Sequence, residues 1–407
     1  MNNPDQPSAL RRLAHRIRRR RQAIAARPKI AVGVALLTVL VLALIAEPFV
    51  KTHLETAAVL ALVANQPKPA IMRGVANQTV TTSDFTIQTT NGPIRARLYT
   101  PVEHPDAPAM VVLHGVHHLG MDEPRLIAFA SALSSCGLRV LTPELPGIKD
   151  YQVSADSIRT IGDSAEWMAT QNPNNERRPV GVMGLSFSGG LSLLAAADPA
   201  YRPSIKFVVA IGSQDEMSRV ASYYRTGEDP RPHGAPELLP PHEYGALVLE
   251  YEHVEDFVPA ADVTLMRALL RAHLYEDGPA EKAAFAALTS AQHDEAMQLL
   301  DTKSNATRAK LAASENLHVQ AMAGVSPHGH LESMTVPVYL LHGEGDNIIP
   351  ASETLWMASE LPSATLQSVL ISPVLSHLNL DGAQPTAGDR WRLVHFFALI
   401  LRAAHTH

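Results

Sequence analysis

The stretch from Gly181 to Gly190 constrains the fold of this chain more than any other feature. It reads Gly-Val-Met-Gly-Leu-Ser-Phe-Ser-Gly-Gly and follows Val180, so an apolar strand runs directly into a serine. The small residues around Ser186, and the helix-forming run that starts at Leu191, predict a sharp strand–turn–helix junction called a nucleophile elbow. Ser188 stands where the usual pattern has glycine. By itself, the pattern also fits an unreactive serine in an ordinary strand–helix connection.

A reactive serine needs a base, an orienting carboxylate and donors for an oxyanion. The apolar strand 109–114 ends in His-Gly, and a glycine there lets backbone amides turn toward a developing negative charge. The expected donors are the amides of Val116 and Phe187, the second being the residue after the serine. Three residues at this edge of the sheet are expected to contact the substrate: His114, Gly115 and Glu144.

Metal chemistry is not expected at this strand end. His117 and His118 follow His114 closely, but no acidic or cysteine partner completes a zinc site. The sequence also has no glycine-rich phosphate loop and no dinucleotide fingerprint. We therefore expect neither a metal nor an organic cofactor.

The carboxylate and the base are sought beyond later strands. Asp346 follows the apolar strand 336–341 and a glycine-rich turn, although a turn aspartate could instead cap the next helix. Asp215, just beyond the strand 205–211, is the second candidate. His377 lies in a loop past the last predicted strand, where a base must lie to meet the serine.

The chain resembles the α/β-hydrolase superfamily from about residue 85 to its end. The similarity rests on His114-Gly115, on Gly184 to Ser188, on His342 to Pro350, and on the order serine, aspartate, histidine. The resemblance implies that Ser186 is the nucleophile, His377 the general base and acid, and Asp346 the carboxylate that orients it. It also implies an α/β fold with a mostly parallel, doubly wound sheet.

The remaining pattern agrees with such a fold. Asn91-Gly92 predicts a hairpin between two strands, and strands then alternate with helices up to residue 211. A long insertion at about 213–334 has no convincing strand, and at this place in an α/β-hydrolase it resembles a helical cap over the site. An unrelated helical module with a binding role of its own is the alternative. Amphipathic stretches in it lie at 262–276, 280–300 and 308–323. The acidic segment Glu250–Asp256 is expected to be solvated surface.

The N-terminus predicts a membrane anchor. Residues 1–29 carry nine basic side chains and one acidic one, and residues 30–46 then have no charge. Seventeen such residues are at the short end of the spanning range. The arginines should remain cytoplasmic, which places the catalytic domain (80–407) outside, after a linker and surface helix at 47–79. A cleaved signal peptide, a twin-arginine signal and a nucleic-acid-binding arm are the alternatives.

Charge and cysteine content add little. The chain carries a net charge of −6 and its first 29 residues carry +8, so the remainder carries −14 and no nucleic-acid partner is expected. Cys136 is the single cysteine, which excludes an internal disulfide.

The sequence as a whole predicts a membrane-anchored serine hydrolase that cleaves a carboxylic ester, or a similar acyl bond of a small molecule, through an acyl-enzyme on Ser186. A peptidase or a dienelactone-hydrolase-like enzyme is the alternative chemistry. A non-catalytic protein that binds a ligand or partner on a hydrolase scaffold is the alternative of another class.

Overall fold

The computed structural model describes residues 28–64, 66, 72, 74–172, 176–375 and 385–406. The chain divides into two compact units, Met1–Leu54 and Glu55–His407. The predicted base His377 lies outside the described residues. The basic segment 1–27 lies outside them as well.

The first helix, α1, runs without a break from Pro28 to Val63 and contains Pro48. Within Val32–Val63, an 18-residue window has a mean hydropathy of 2.3, and none of its residues is buried. The helix is therefore long and apolar enough to cross a membrane. The expectation of a span ending at residue 46, followed by a separate surface helix, is therefore wrong about the helix boundary. The helix continues through Pro48, although a proline in a helix interior removes one backbone hydrogen bond.

The chain enters the sheet through the predicted hairpin. Strand β1 (Val80–Thr89) pairs antiparallel with β2 (Gly92–Pro101), and Thr89 faces Gly92 across a two-residue turn. Gly92 has a φ of 106°, a backbone conformation that favours glycine. The Asn-Gly signal is thus confirmed by the structure.

Eight strands form the main sheet, and every pair beyond the opening strands is parallel. Their order is β1-β2-β4-β3-β5-β6-β9-β10, and β2 pairs antiparallel with both of its neighbours. The six later strands are β3 (Ala109–Leu113), β4 (Arg139–Pro143), β5 (Val180–Leu185), β6 (Ile205–Ile211), β9 (Val338–Gly343) and β10 (Leu366–Ser372). Their carboxyl ends meet at one edge, which is where ligand sites collect in such sheets.

Helices cover both faces of this sheet. Met110 and Val112 of β3 pack on one face, with helices α2 and α14, whereas Val111 and Leu113 pack on the other, with α4 and α5. The helices outside the cap are α2 (Pro124–Ser135), α3 (Pro146–Lys149), α4 (Ala155–Thr170), α5 (Phe187–Ala197), α13 (Ser352–Glu360) and α14 (Ala387–His405). A strand buried on both sides is apolar at every position, as the run at 109–113 indicates, so the predicted doubly wound fold is confirmed.

The insertion between β6 and β9 is mainly helical, as expected, and we call this segment the cap. It contains α6 (Met217–Thr226), α7 (Glu243–Glu252), α8 (Val263–Leu274), α9 (Gly278–Ala286), α10 (Ser290–Leu300), α11 (Asn305–Leu317) and α12 (Val319–Ala323). A minimal hairpin of β7 (Glu228–Asp229) and β8 (Glu237–Leu238) adds two short strands that the sequence did not indicate.

Three details of the cap differ from expectation, and one is that the stretch 308–323 is divided between α11, which ends at Leu317, and α12, which begins at Val319. The single helix expected over 280–300 is two helices, because Thr289 and Gln292 form a capping box that starts α10. The acidic segment is not all solvated, since Glu250 is completely buried in α7 and burial raises the pKa of its carboxyl well above its usual range.

Helix α5 lies directly against the strand that precedes it because glycines remove the side chains between them. A Cβ on Gly184 would lie 2.4 Å from the carbonyl oxygen of Ser188 and 2.5 Å from the Cα of Gly189. A Cβ on Gly189 would lie 1.9 Å from Ser213 Oγ. The close approach of strand and helix therefore depends on these glycines, and it sets the angle at which the chain leaves Ser186.

The loop after β3 is anchored from below by His114, whose side chain is buried. Its Nδ1 donates to the carbonyl of Gly115 (2.8 Å), and its Nε2 accepts the N–H of Leu145 (3.0 Å). Burial lowers the pKa of His114 to about 4, because the charged ring would lose its hydration. The neutral ring that results can donate at one nitrogen and accept at the other. The ring thus joins the β3 loop to the loop after β4.

Replacing Gly184 by alanine should destabilise the protein by about 2 kcal/mol or more, because the clashing atoms are backbone and cannot rotate away. The measurement is the free energy of unfolding in urea. Gly278→Ala is the matched control, since a Cβ on Gly278 meets nothing within 4 Å and should change stability little. Equal effects of the two substitutions would contradict this account of α5.

His114 should make the free energy of unfolding depend on pH between about 6.5, the ordinary pKa of histidine, and about 4, its pKa in the folded protein. The unfolded chain takes up a proton as pH falls through about 6.5, whereas the folded chain does not until its lower pKa is reached. Stability is thus complete above pH 6.5 and falls by about 2–3 kcal/mol on approaching pH 4.

His114→Gln should lose this part of the decline, although it is less stable at neutral pH. Urea unfolding at pH 7 and pH 4.5 measures the difference, with exposed His104→Gln as the control that keeps the wild-type dependence. An unchanged pH dependence in His114→Gln would refute the role of the buried ring.

Candidate active site

Ser186 lies at the turn between β5 and α5, with a φ of 55° and a ψ of −137°. A positive φ is unfavourable for a residue with a side chain, so the surroundings must hold it. The Ser186 N–H donates to the carbonyl of Ile211 (2.8 Å), and the Ser186 carbonyl accepts from Gly189 N (2.9 Å) and Ser213 Oγ (2.8 Å). The backbone on both sides of the serine is therefore fixed, and its side chain is half-buried at the carboxyl edge of the sheet.

Ser188, which stands where the usual pattern has glycine, has a structural role of its own. The side chain is completely buried, and its Oγ donates to the carbonyl oxygen of His114 at 2.6 Å. This hydrogen bond ties the first turn of α5 to the end of β3. The hydroxyl thus positions the loop that follows His114 relative to the serine.

Two backbone amides beside the serine are not engaged. The Val116 and Phe187 N–H groups donate no hydrogen bond to any other residue in the described part of the chain. A Cβ on Gly115 would lie 3.2 Å from Ser186 Cβ, so the β3 loop passes directly beside the serine. Unengaged N–H groups next to a nucleophile are the arrangement that an oxyanion hole requires.

Asp346 lies in the turn after β9 and is 1% exposed. Its Oδ1 accepts the N–H groups of Ile348 (2.9 Å) and Ile349 (3.1 Å), which hold the carboxylate in one orientation. His342 is buried beneath it, with Nε2 donating to Ile349 O (2.8 Å) and Nδ1 accepting from Thr354 Oγ1 (2.7 Å). The turn is therefore rigid.

The last strand delivers the chain to this turn. Ser372 at the end of β10 faces Gly343, and its carbonyl accepts the N–H of Glu344 at 3.1 Å. A Cβ on Gly343 would lie 2.6 Å from Leu375 O, so residues up to Leu375 pass close over the turn that carries Asp346. His377 lies outside the described residues, and its role stays a prediction.

Asp215, the second candidate for the carboxylate, belongs to a different cluster. It is completely buried, and its Oδ2 accepts from Arg219 Nη2 at 2.7 Å. Burial and the nearby carboxylate of Glu353 raise the pKa of Asp215 to about 7. Its position after β6 is at the correct edge of the sheet, but the carboxylate is engaged by an arginine.

Two of the three residues expected to contact the substrate have other partners. His114 is under the loop, with both ring nitrogens bonded to the backbone. Glu144 forms ion pairs with Lys149 (2.7 Å) and Arg95 (3.5 Å). Their direct contact with substrate stays a prediction, whereas Gly115 lies beside Ser186.

The cap adds tyrosines that the sequence reasoning missed. Tyr244 Oη in α7 donates to the carbonyl of Val116 at 3.3 Å, so the cap contacts the β3 loop directly. Tyr151 lies between Tyr244 and Tyr275, with ring centroids 5.8 and 5.4 Å away, and Tyr275 stacks on His118 at 5.0 Å. Burial raises the pKa of Tyr244 and of Tyr151, which keeps both phenols neutral. No local pattern in the sequence signals such long-range contacts.

Solved structures of several hydrolases resemble this chain. One is an esterase from Pyrobaculum calidifontis, with 16% identity, a TM-score of 0.45, and coverage of 88% of this chain and 93% of that one. Another is an acylaminoacyl peptidase from Pyrococcus horikoshii, with 13% identity, a TM-score of 0.43, and coverage of 72% of this chain and 37% of that one. A bacterial brefeldin A esterase has 15% identity, a TM-score of 0.42, and coverage of 86% and 82%. No curated protein sequence matches the chain.

A family model gives the assignment. The model described as X-Pro dipeptidyl-peptidase (S15 family) matches residues 145–377, which is more than half of the chain. The matched region begins just after β4 and includes Ser186, Asp346 and His377. The chain therefore belongs to the S15 family, a family of serine-hydrolase type within the α/β-hydrolase superfamily.

Proposed function

We propose that this protein is a serine hydrolase in which Ser186 attacks the carbonyl carbon of a carboxylic ester or a similar acyl bond. The observation that carries the proposal is the backbone of Ser186. A φ of 55° is held by hydrogen bonds on both sides, and two unengaged amides lie next to it. Backbone strain that is held by its surroundings is frequent at active sites.

The proposed reaction has two steps. His377 takes the proton from Ser186 Oγ as the hydroxyl attacks, and it returns that proton to the leaving alcohol as the carbon–oxygen bond breaks. Asp346 orients the imidazole and stabilises its charged form. The amides of Val116 and Phe187 donate to the oxyanion, an effect worth several kcal/mol. Water then attacks the acyl-enzyme with His377 as base, which releases the acid and restores the serine.

The cap is proposed to form the substrate wall. Tyr244 contacts the β3 loop, and the rings of Tyr151, Tyr275 and His118 pack in succession beside it. Aromatic side chains pack favourably against the apolar part of an ester. A carboxylic ester of a small molecule is therefore our first substrate class.

A peptidase is the second candidate. The specific observation in its favour is the description of the matching family, whose model is that of an X-Pro dipeptidyl-peptidase. Such an activity would need a group that binds the amino terminus of a peptide. The same serine and oxyanion donors would serve both reactions, so substrate comparison must decide between them.

Membrane anchoring is proposed from α1. The helix is long and apolar enough to cross a bilayer, and its aliphatic side chains are exposed, among them Leu36 and Leu44 at 65% each. The preceding arginines favour a cytoplasmic N-terminus, which would place the hydrolase domain on the other side. A signal sequence is the alternative for the same helix.

Ser186→Ala should abolish covalent labelling by a fluorophosphonate and turnover of 4-nitrophenyl butyrate, because no other hydroxyl lies on the strained turn. Wild-type protein in detergent should be labelled once per chain. Ser192→Ala is the matched control, since Ser192 lies in the same helix and its Oγ donates to Ser188 O (2.6 Å) away from the turn. Unreduced labelling of Ser186→Ala would refute the proposal.

Glycyl-prolyl-4-nitroanilide tests the second candidate with the same preparations. We expect a larger kcat/KM for the ester than for the anilide. The opposite order, lost in Ser186→Ala, would assign a peptidase. A folded wild type that neither reacts with the fluorophosphonate nor hydrolyses either substrate would favour the binding protein.

Tyr244→Phe should lower kcat/KM for the ester by about fivefold, because it removes one hydrogen bond, worth about 1 kcal/mol, that holds the β3 loop against the cap. Tyr201→Phe is the control, since Tyr201 lies beyond the opposite end of α5 from the serine. An unchanged kcat/KM in Tyr244→Phe would mean that the loop is held without the cap.

A further inference from the structure

A cluster of ionisable side chains lies at the base of the cap, outside the catalytic residues discussed above. Asp215 is on the segment that enters the cap after β6, and His328 is on the segment that returns from it toward β9. Glu360 is the last residue of α13 in the hydrolase core. The N–H of His328 donates to the carbonyl of Asp215 at 3.0 Å, so the two segments are already in contact.

The three side chains have the spacing of metal ligands. One ligand atom from each of Asp215, His328 and Glu360 lies within 4.8 Å of the other two. His328 Nδ1 is 3.9 Å from Asp215 Oδ2 and is hydrogen-bonded to Glu360 Oε1. Glu360 Oε2 also accepts the N–H of Gly329 at 3.2 Å, which places it against the returning segment.

The charges around Asp215 are unbalanced. Arg219 is shared among three carboxylates, at 2.7 Å from Asp215 Oδ2, 2.9 Å from Glu216 Oε2 and 2.5 Å from Glu353 Oε1. Glu353 also accepts the N–H groups of Asp215 (2.8 Å) and Glu216 (2.9 Å), so its oxygens are satisfied. One guanidinium thus serves three acids, and Glu360 adds a fourth.

One of the two carboxylate oxygens of Asp215 lacks a hydrogen-bond partner among the described residues. The residue is completely buried, and its Oδ1 has no hydrogen-bond partner in the residues that the structure describes. An unsatisfied buried carboxylate oxygen is costly, because neither water nor a donor replaces its lost hydration. A cation beside Asp215 would remove that cost and would compensate the excess negative charge.

We propose that Asp215, His328 and Glu360 bind a divalent transition-metal ion of the Zn²⁺ type. One imidazole nitrogen and two carboxylate oxygens are ligands that zinc accepts, whereas Ca²⁺ and Mg²⁺ prefer oxygen alone. His328 is more than half exposed, so the ion can enter from solvent and retain a water as its fourth ligand. This site is distinct from the serine chemistry proposed above and does not depend on it.

The ion would have a structural role. It would join both ends of the cap to α13, which holds the cap at a fixed angle over the sheet. Since metal binding to the folded state stabilises it by mass action, zinc should raise the temperature of thermal unfolding.

Isothermal titration of the full-length, chelator-treated protein in detergent with ZnCl₂ tests the proposal. Wild type should bind one Zn²⁺ per chain, and its unfolding temperature should rise with zinc. His328→Gln and Glu360→Gln should each bind about tenfold or more weakly and lose that rise, because each removes a ligand. The His328 side chain is exposed, whereas that of Glu360 is only partly so, and circular dichroism verifies that both variants fold.

His330→Gln is the matched control, since it is an exposed histidine two positions along the same loop. It should bind zinc as the wild type does. The proposal fails if wild type binds no zinc. It fails equally if His328→Gln and Glu360→Gln bind zinc as tightly as wild type, which would place the ion elsewhere.

Discussion

The chain leaves β5 and enters α5 within one residue, and the geometry of the site depends on that turn. Ser186 can hold a positive φ because Gly184 and Gly189 allow the helix to approach the strand, and because Ile211 and Ser213 bind its backbone. Strain at one residue is sustained by a well-packed surrounding. The same glycines and hydrogen bonds therefore bring the helix close to the strand and hold Ser186 at the edge of the sheet.

The β3 loop depends on the same turn through Ser188 and His114. The Ser188 hydroxyl binds the His114 carbonyl, and the His114 ring binds the backbone of Gly115 and Leu145. Donors that are fixed before the reaction lower its barrier more than donors that must reorganise. Two buried polar side chains thus fix the loop that carries Val116.

Much of the fold could be predicted because its signals are local. Apolar runs such as 109–113 and the Asn91-Gly92 turn specify strands and a hairpin whatever surrounds them. Helix boundaries were harder to predict, because capping and tertiary packing decide them. A new helix starts after Thr289, and the first helix continues through Pro48.

Contacts between distant segments could not be predicted. Tyr244 meets Val116, and Asp215 meets His328 and Glu353, across more than a hundred residues of sequence, so no spacing rule applies. Glu250 shows the same difficulty, since an acidic stretch suggests solvent and only packing reveals burial. Ser186, our proposed nucleophile, was the easiest residue of the candidate site to identify, because its motif is contiguous in the sequence.

The cap leaves the sheet after β6 and returns to β9, and these strands are neighbours, with Val208 opposite Val338. An insertion whose two ends are already adjacent imposes little constraint on what lies between them. Its length, helices and lining can change while the strand register stays the same. In this architecture the cap can be replaced without moving the strands on either side of it, so substrate specificity can change while the sheet stays the same.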